Sequence, residues 1–69
     1  MDYATLCRRV HAVRTAAHDP ESAHALENRL HRDVLRAIAL KQVPAAEASD
    51  WAITALVTED IEFDRWWCS

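Results

Sequence analysis

Three of the four histidines lie in one short stretch, "HDPESAHALENRLH", which runs from residue 18 to residue 31. Imidazoles and carboxylates are common zinc ligands, and Glu27 lies three residues after His24 and four before His31. On a helix these three side chains share one face, which makes them the candidate metal ligands. Their spacing matches neither the HExxH of zinc proteases nor the paired ExxH of di-iron bundles. We therefore expect no metal or other cofactor, and interpret the histidines as half-buried or capping groups.

The histidines also suggest a pH-sensitive contact between two helices. In an antiparallel hairpin centred near residue 21, His18 would face His24, and the other two histidines would face each other further along. Helical geometry then places all four on one edge of the pair, which we call the histidine seam. The two facing pairs of histidines are about 10.5 Å apart along the helix axes, too far to share one ion. The same geometry predicts an ion pair between Arg14 and Glu27.

The C-terminal segment "DIEFDRWW" interleaves apolar with acidic residues. Two adjacent tryptophans rarely both point inward, and Trp51 projects to one side of its helical stripe, so we expect at least one exposed indole. Exposed tryptophan and arginine are frequent anchors of protein interfaces. The alternative is that Phe63 and one tryptophan fill the core. The partner-binding candidates are Trp66, Trp67, Trp51, Arg65 and Asp64.

The second functional candidate is a basic helix face formed by Arg29, Arg32 and Arg36. Residues 1–43 carry seven basic and five acidic groups, whereas residues 44–69 carry one and six. Phosphate binding by the arginines is the nucleic-acid hypothesis, but the net charge of −3 and the lack of a recognition motif favour a solvated face.

Enzyme chemistry has little support in the sequence. The chain contains no glycine, which disfavours a P-loop, a Rossmann fingerprint and a nucleophile elbow. Cys7 lies four residues before His11, but this spacing alone is weak evidence of a nucleophile. We expect no catalytic residue, and we expect Cys7 and Cys68 to be free thiols, with a bridge between them as the alternative.

Proline positions divide the 69 residues into three helical segments of a single domain, 1–69. Apolar residues at spacings of three and four predict helix 1 over residues 2–17 and helix 2 over residues 20–41. Asp19 and Pro20 provide an N-cap and a first helical residue for helix 2. An alanine-rich helix 3 is predicted over residues 44–58. The expected fold is all-α: an antiparallel hairpin of helices 1 and 2, helix 3 across it, and an aromatic C-terminal tail.

The segments "ESAHALENRLHRDVLRAIA" and "IEFDRWW" resemble small helical proteins of actinobacteria and their phages, which share the patterns E-x-AH-x-x-E-x-x-L-x-x-x-VL-x-x-IA and DF-x-RW. Glu62 replaces the aspartate of the second pattern, and Asn28 stands where an acid is common. The resemblance implies origin and size, and no activity or ligand. The matching residues are Glu21, Ala23, His24, Glu27, Leu30, Val34, Leu35, Ile38, Ala39, Phe63, Arg65 and Trp66.

From these observations the sequence favours a non-catalytic, protein-binding accessory protein, phage-encoded and acting on a host cytoplasmic factor. A partner of host origin or a second copy is expected, and self-association through leftover apolar surface follows from the small size of the core. No apolar run approaches the ~20 residues of a membrane span, so we expect a cytoplasmic protein. The alternatives are a nucleic-acid-associated regulator and, third, a metal-binding helical protein.

Overall fold

The computed structural model describes residues 1–63, which form three α-helices and two 3₁₀ turns. Helix α1 covers Tyr3–Thr15, α2 covers Pro20–Ala39 and α3 covers Ala45–Leu56. The 3₁₀ turns, Ala16–His18 and Val57–Asp60, follow α1 and α3. The predicted all-α, three-helix fold is confirmed, while the predicted aromatic tail from residue 64 onward lies outside the described residues.

The first two helices begin at aspartate N-caps. Asp2 accepts a hydrogen bond from the Thr5 amide at 2.8 Å, and Asp19 accepts one from the Ser22 hydroxyl at 3.0 Å and a longer one from its amide at 3.5 Å. These bonds satisfy amides that have no partner inside the helix. The N-cap of α3 is Pro44, whose side chain offers no such bond.

Helix α2 ends two residues earlier than predicted because Lys41 adopts a left-handed backbone conformation, with φ 58°. The Gln42 amide donates to the Ala37 carbonyl at 2.9 Å, and the Lys41 amide donates to the Ile38 carbonyl at 3.0 Å. This pair of bonds is the Schellman motif, which usually has glycine at the left-handed position. In a chain without glycine, a lysine fills that position.

Helices α1 and α2 pack as an antiparallel hairpin, and α3 packs against both. An ion pair between Arg9 and Asp33, with Nη2 and Oδ2 3.0 Å apart, links the hairpin. It replaces the predicted pair of Arg14 with Glu27, which residues 1–63 do not form: Arg14 is exposed to solvent, whereas Glu27 is buried.

The core has two parts. The larger one joins all three helices and consists of Leu6, Val10, Leu30, Val34, Ala37, Val43, Trp51 and Ala55. The smaller one lies near the turn of the hairpin, where Ile61 packs with Val13 and Ala23 and is flanked by Phe63. The chain therefore returns to the hairpin after α3, and for Phe63 the alternative interpretation, packing against the core, is the one observed. No helix in the described part of the chain is both long and apolar enough to span a membrane.

Candidate functional site

Trp51 is a core residue, so its predicted role as an exposed partner anchor is wrong. Only 5% of its surface is accessible. Its ring meets Tyr3 edge-on, with centroids 6.2 Å apart and planes at 61°. The remaining inward positions of α3 are alanines, so the wide indole fills space between α3 and α1 that small side chains leave open. Within residues 1–63 its Nε1–H has no hydrogen-bond partner.

The other four partner-binding candidates, Asp64, Arg65, Trp66 and Trp67, lie outside the described residues. The structure therefore leaves their predicted role as a prediction. The preceding residues lead the chain away from α3: Ile61 is buried, Glu62 is exposed and Phe63 is half-buried.

His31 contacts α3 and the turn after it, not a neighbouring histidine. Its Nε2 lies 2.8 Å from the Thr58 hydroxyl and 3.0 Å from the Ala55 carbonyl oxygen. The Thr58 hydroxyl itself donates to that carbonyl at 3.0 Å. Because the carbonyl only accepts, and the hydroxyl proton is already used, both contacts require a proton on Nε2. His31 thus joins α2 to the end of α3.

The remaining histidines differ in exposure and in hydrogen bonding. His18 is exposed and its Nδ1 contacts the Thr15 carbonyl at 3.0 Å, while His11 is exposed on α1. His24 is half-buried, and its Nδ1 is a buried atom without a hydrogen-bond partner in the described part of the chain. Helix α3 packs against the side of α2 that carries His31.

The weak metal candidates His24, Glu27 and His31 are not assembled into a site. Among residues 1–63, no three histidine, cysteine, aspartate or glutamate side chains lie close enough to hold an ion. Glu27 is a buried residue of α2. Cys7 is an exposed free thiol, and no hydrogen bond joins it to His11 in the same part of the chain.

The basic face of α2 is present as predicted. Arg29, Arg32 and Arg36 are all exposed, and none of them forms an ion pair with another residue of the described range. The acidic residues of α3 and its following turn are also exposed. They are Glu47, Asp50, Glu59 and Asp60.

An apolar groove between α2 and α3 was missed by the sequence analysis. It has a volume of about 180 Å³. Leu35 and Leu56 stand on opposite sides of it, 67% and 51% exposed. Ile53, one turn before Leu56, is 61% exposed. The groove is lined by His31, Val34, Leu35, Ala52, Ala55 and Leu56.

One of these residues was detectable in the sequence. Leu35 lies outside the apolar stripe of helix 2, so a large aliphatic side chain was predictable at the surface. Leu56, the last residue of α3, is 51% exposed. The facing position on α3 is Ala52, too small to fill the space between the two leucines.

No protein family, curated protein or solved structure matches this chain. Its functional interpretation consequently depends on its own residues.

Proposed function

We propose that this chain is a non-catalytic protein-binding protein whose binding surface is the groove between α2 and α3. The observation that carries the proposal is the exposure of Leu35 and Leu56, two large aliphatic side chains that line one apolar groove together with Val34, Ala52 and Ala55. Isolated exposed aliphatic residues are common, but a contiguous group around a concave surface is typical of an interaction site. A protein partner would remove this surface from water.

The C-terminal candidates belong to the same proposal. Trp66, Trp67 and Arg65 would add anchors, and Asp64 would contribute to the acidic charge that steers a basic partner. A bacterial cytoplasm as the compartment, and a phage as the source, are likewise proposals that rest on the sequence resemblance.

Photo-crosslinking from the groove tests the proposal. A benzoylphenylalanine replaces Leu35 in the full chain, and the protein is irradiated in an extract of bacterial cytoplasm treated with nuclease. We expect a covalent protein adduct that resists nuclease and disappears when Leu56→Arg is added. Mass spectrometry then identifies the attached protein, including a second copy of the chain.

The matched control places the same photo-reactive residue at Leu40. This side chain is 61% exposed and belongs to α2's C-terminal end, but it does not line the groove. It should give little adduct. Equal labelling from both positions, or no protein adduct from position 35, would reject the groove as the binding surface. Substitution of Trp66 and Trp67 by alanine then measures whether the tail contributes to adduct formation.

The second candidate function is nucleic-acid binding by the basic face of α2. The observation that favours it is the alignment of Arg29, Arg32 and Arg36 in an exposed row without ion-pair partners among residues 1–63. Unpaired arginines in a row are suited to contact successive phosphates.

A salt titration of binding to duplex DNA separates this candidate from the first. If all three arginines contact phosphates, replacing them with alanine reduces the slope of log affinity against log salt by about 3. The control is Arg14→Ala, which removes an exposed arginine from α1. Equal slopes for wild type and the triple variant would reject the basic face as a nucleic-acid site.

A further inference from the structure

A small pocket lies where the C-terminal part of α2 meets α1, and one arginine from each helix lines it. These are Arg9 of α1 and Arg36 of α2, and the pocket has a volume of about 260 Å³. Pockets for drug-sized ligands measure about 300–1,000 Å³, so this one suits a smaller molecule. It shares no lining residue with the groove between α2 and α3. We call it the arginine pocket.

Arg9 is held in place by a residue of the other helix. Its Nη2 donates to Asp33 Oδ2 at 3.0 Å, while its Nη1 faces the Met1 sulfur at 3.5 Å. A guanidinium group carries five N–H donors, and a thioether sulfur is only a weak acceptor. Arg9 therefore keeps donors for a stronger acceptor, on a side chain that is already positioned and still 29% exposed.

Arg36 supplies the second positive charge. It is exposed and forms no ion pair with another residue of the range 1–63, although Asp33 lies one turn before it on α2. Two guanidinium groups and one carboxylate line the pocket, and an oxygen of that carboxylate already accepts from Arg9. The pocket consequently attracts an anion.

The class of anion follows from the donors and their charge. Guanidinium groups match the oxygens of phosphates and carboxylates and bind them through parallel hydrogen bonds. Two arginines suit a phosphate monoester, which carries a charge of about −1.5 to −2 at pH 7, better than a carboxylate or a phosphate diester with a single charge. Leu40, which is 61% exposed, lines the same pocket and offers an apolar contact to the carbon part of the ester.

We infer that the arginine pocket binds a small phosphate monoester, whose phosphate oxygens accept hydrogen bonds from Arg9 and Arg36. This inference goes beyond the proposed function, because it concerns another surface and a ligand that is not a protein. It also differs from the nucleic-acid candidate, in which the exposed arginine row of α2 contacts the singly charged diesters of a backbone.

An NMR titration of the full chain with phenyl phosphate tests the inference. Sodium chloride keeps the ionic strength constant, and dimethyl phosphate is the diester control. We expect saturable shifts of the Arg9 and Arg36 Nε–Hε signals and of the Leu40 and Gln42 amides. Dimethyl phosphate should bind about tenfold more weakly or worse, because it carries one charge and offers fewer acceptor oxygens.

Substitutions assign the binding to the two arginines. Arg36→Ala removes one charged contact and should weaken phenyl phosphate binding about tenfold. Arg9→Lys keeps the positive charge beside Asp33 but loses the planar fork, so it should also weaken binding several-fold. The matched control is Arg29→Ala, which removes an exposed arginine of the same helix outside the pocket and should leave the dissociation constant within about twofold. Circular dichroism confirms that each variant is helical.

Three outcomes would overturn the inference. Equal losses from Arg29→Ala and Arg36→Ala would mean that the ester responds to the overall charge of α2. Equal affinities for phenyl phosphate and dimethyl phosphate would reject a monoester site and favour the nucleic-acid candidate. Shifts that are absent, or that do not saturate, would reject the pocket itself. Crosslinking from position 35 is unaffected by any of these results, so the proposed function is tested separately.

Discussion

The α1–α2 hairpin and α3 are held in place by different kinds of interaction. Each helix of the hairpin begins at an aspartate whose side chain caps its first turn, and large aliphatic residues fill the space between them. Helix α3 has no side-chain cap and presents mainly alanines to its neighbours. Trp51 and the contact of His31 with Ala55 and Thr58 attach it to the hairpin. Helix α3 therefore depends on tertiary contacts, whereas the hairpin also carries local helix signals.

The largest effect should come from Leu30, where the two regions share one core. This side chain is fully buried in the cluster that includes α1 and α3 residues. Leu30→Ala should lower the free energy of unfolding by about 2–5 kcal/mol, through lost burial and the cavity left behind. Urea unfolding followed by circular dichroism measures this change.

Leu35→Ala is the matched control on the same helix, measured at a concentration low enough for a monomer. Because Leu35 is mostly exposed, its truncation should change the free energy of unfolding by about 0.5 kcal/mol or less. Similar losses for the two leucines would contradict the placement of the core.

The next largest effect should come from the contact of His31 with Thr58, which attaches the end of α3 to the hairpin. His31→Phe removes a half-buried hydrogen-bonding group and Thr58→Val removes a buried one, and each should cost about 1–3 kcal/mol. The double variant should show a coupling energy of about 0.5–3 kcal/mol, because the two groups are in direct contact. Amide hydrogen exchange in the single variants should accelerate in α3 more than in α1.

His18→Phe is the control for this prediction. It removes the hydrogen bond of an exposed histidine to the Thr15 carbonyl at the end of the hairpin's first helix. Its cost should stay below about 0.5 kcal/mol, since a solvated group loses little on substitution. Uniform acceleration of exchange across all three helices after His31→Phe would show that α3 has no separate dependence on this contact.

The sequence predicted the hairpin better than it predicted α3, because the hairpin carries local helix signals and α3 depends on tertiary contacts. Asp19, Pro20 and the aliphatic periodicity of α2 are local signals, and they placed the start of that helix correctly. The burial of Trp51 and the direction of His31 depend on which faces of three helices meet, which no local spacing determines. The groove is similarly a product of packing, because Leu35 and Leu56 are far apart in sequence and become neighbours only when α3 is in place.

Lys41 tests the loop that connects the two regions, with a smaller effect of opposite sign. A left-handed backbone conformation is unfavourable for residues with a Cβ atom and accessible to glycine. Lys41→Gly should therefore raise the free energy of unfolding by about 0.5–1 kcal/mol, after allowance for the greater flexibility of glycine in the unfolded chain. Lys41→Ala removes the same charge and keeps the Cβ atom, so it should give no such gain. Equal effects of the two substitutions would assign the change to charge.

The smallest effect concerns the cap of α1, because acidification protonates the Asp2 side chain that caps this helix, whereas α3 has no side-chain cap. Hydrogen bonds from the Thr5 hydroxyl and amide, aided by the positive charge of Arg8, lower the pKa of the Asp2 carboxyl from 3.8. A lowered folded-state pKa means that ionised Asp2 contributes its full stabilisation above 3.8 and loses it as pH falls through the folded-state value. The unfolding temperature of wild type should therefore exceed that of Asp2→Asn near neutral pH, and the difference should shrink as the pH is lowered below 3.8.

In Thr5→Val, which lacks the hydroxyl donor, the Asp2 pKa measured by NMR titration should move back toward 3.8. An unchanged titration would mean that the Thr5 hydroxyl does not lower this pKa, and would leave the amide as the donor that holds the carboxylate. A displaced titration, with hydrogen exchange rising first at the start of α1 in acid, would show that this end of the hairpin depends on the charge of its capping side chain.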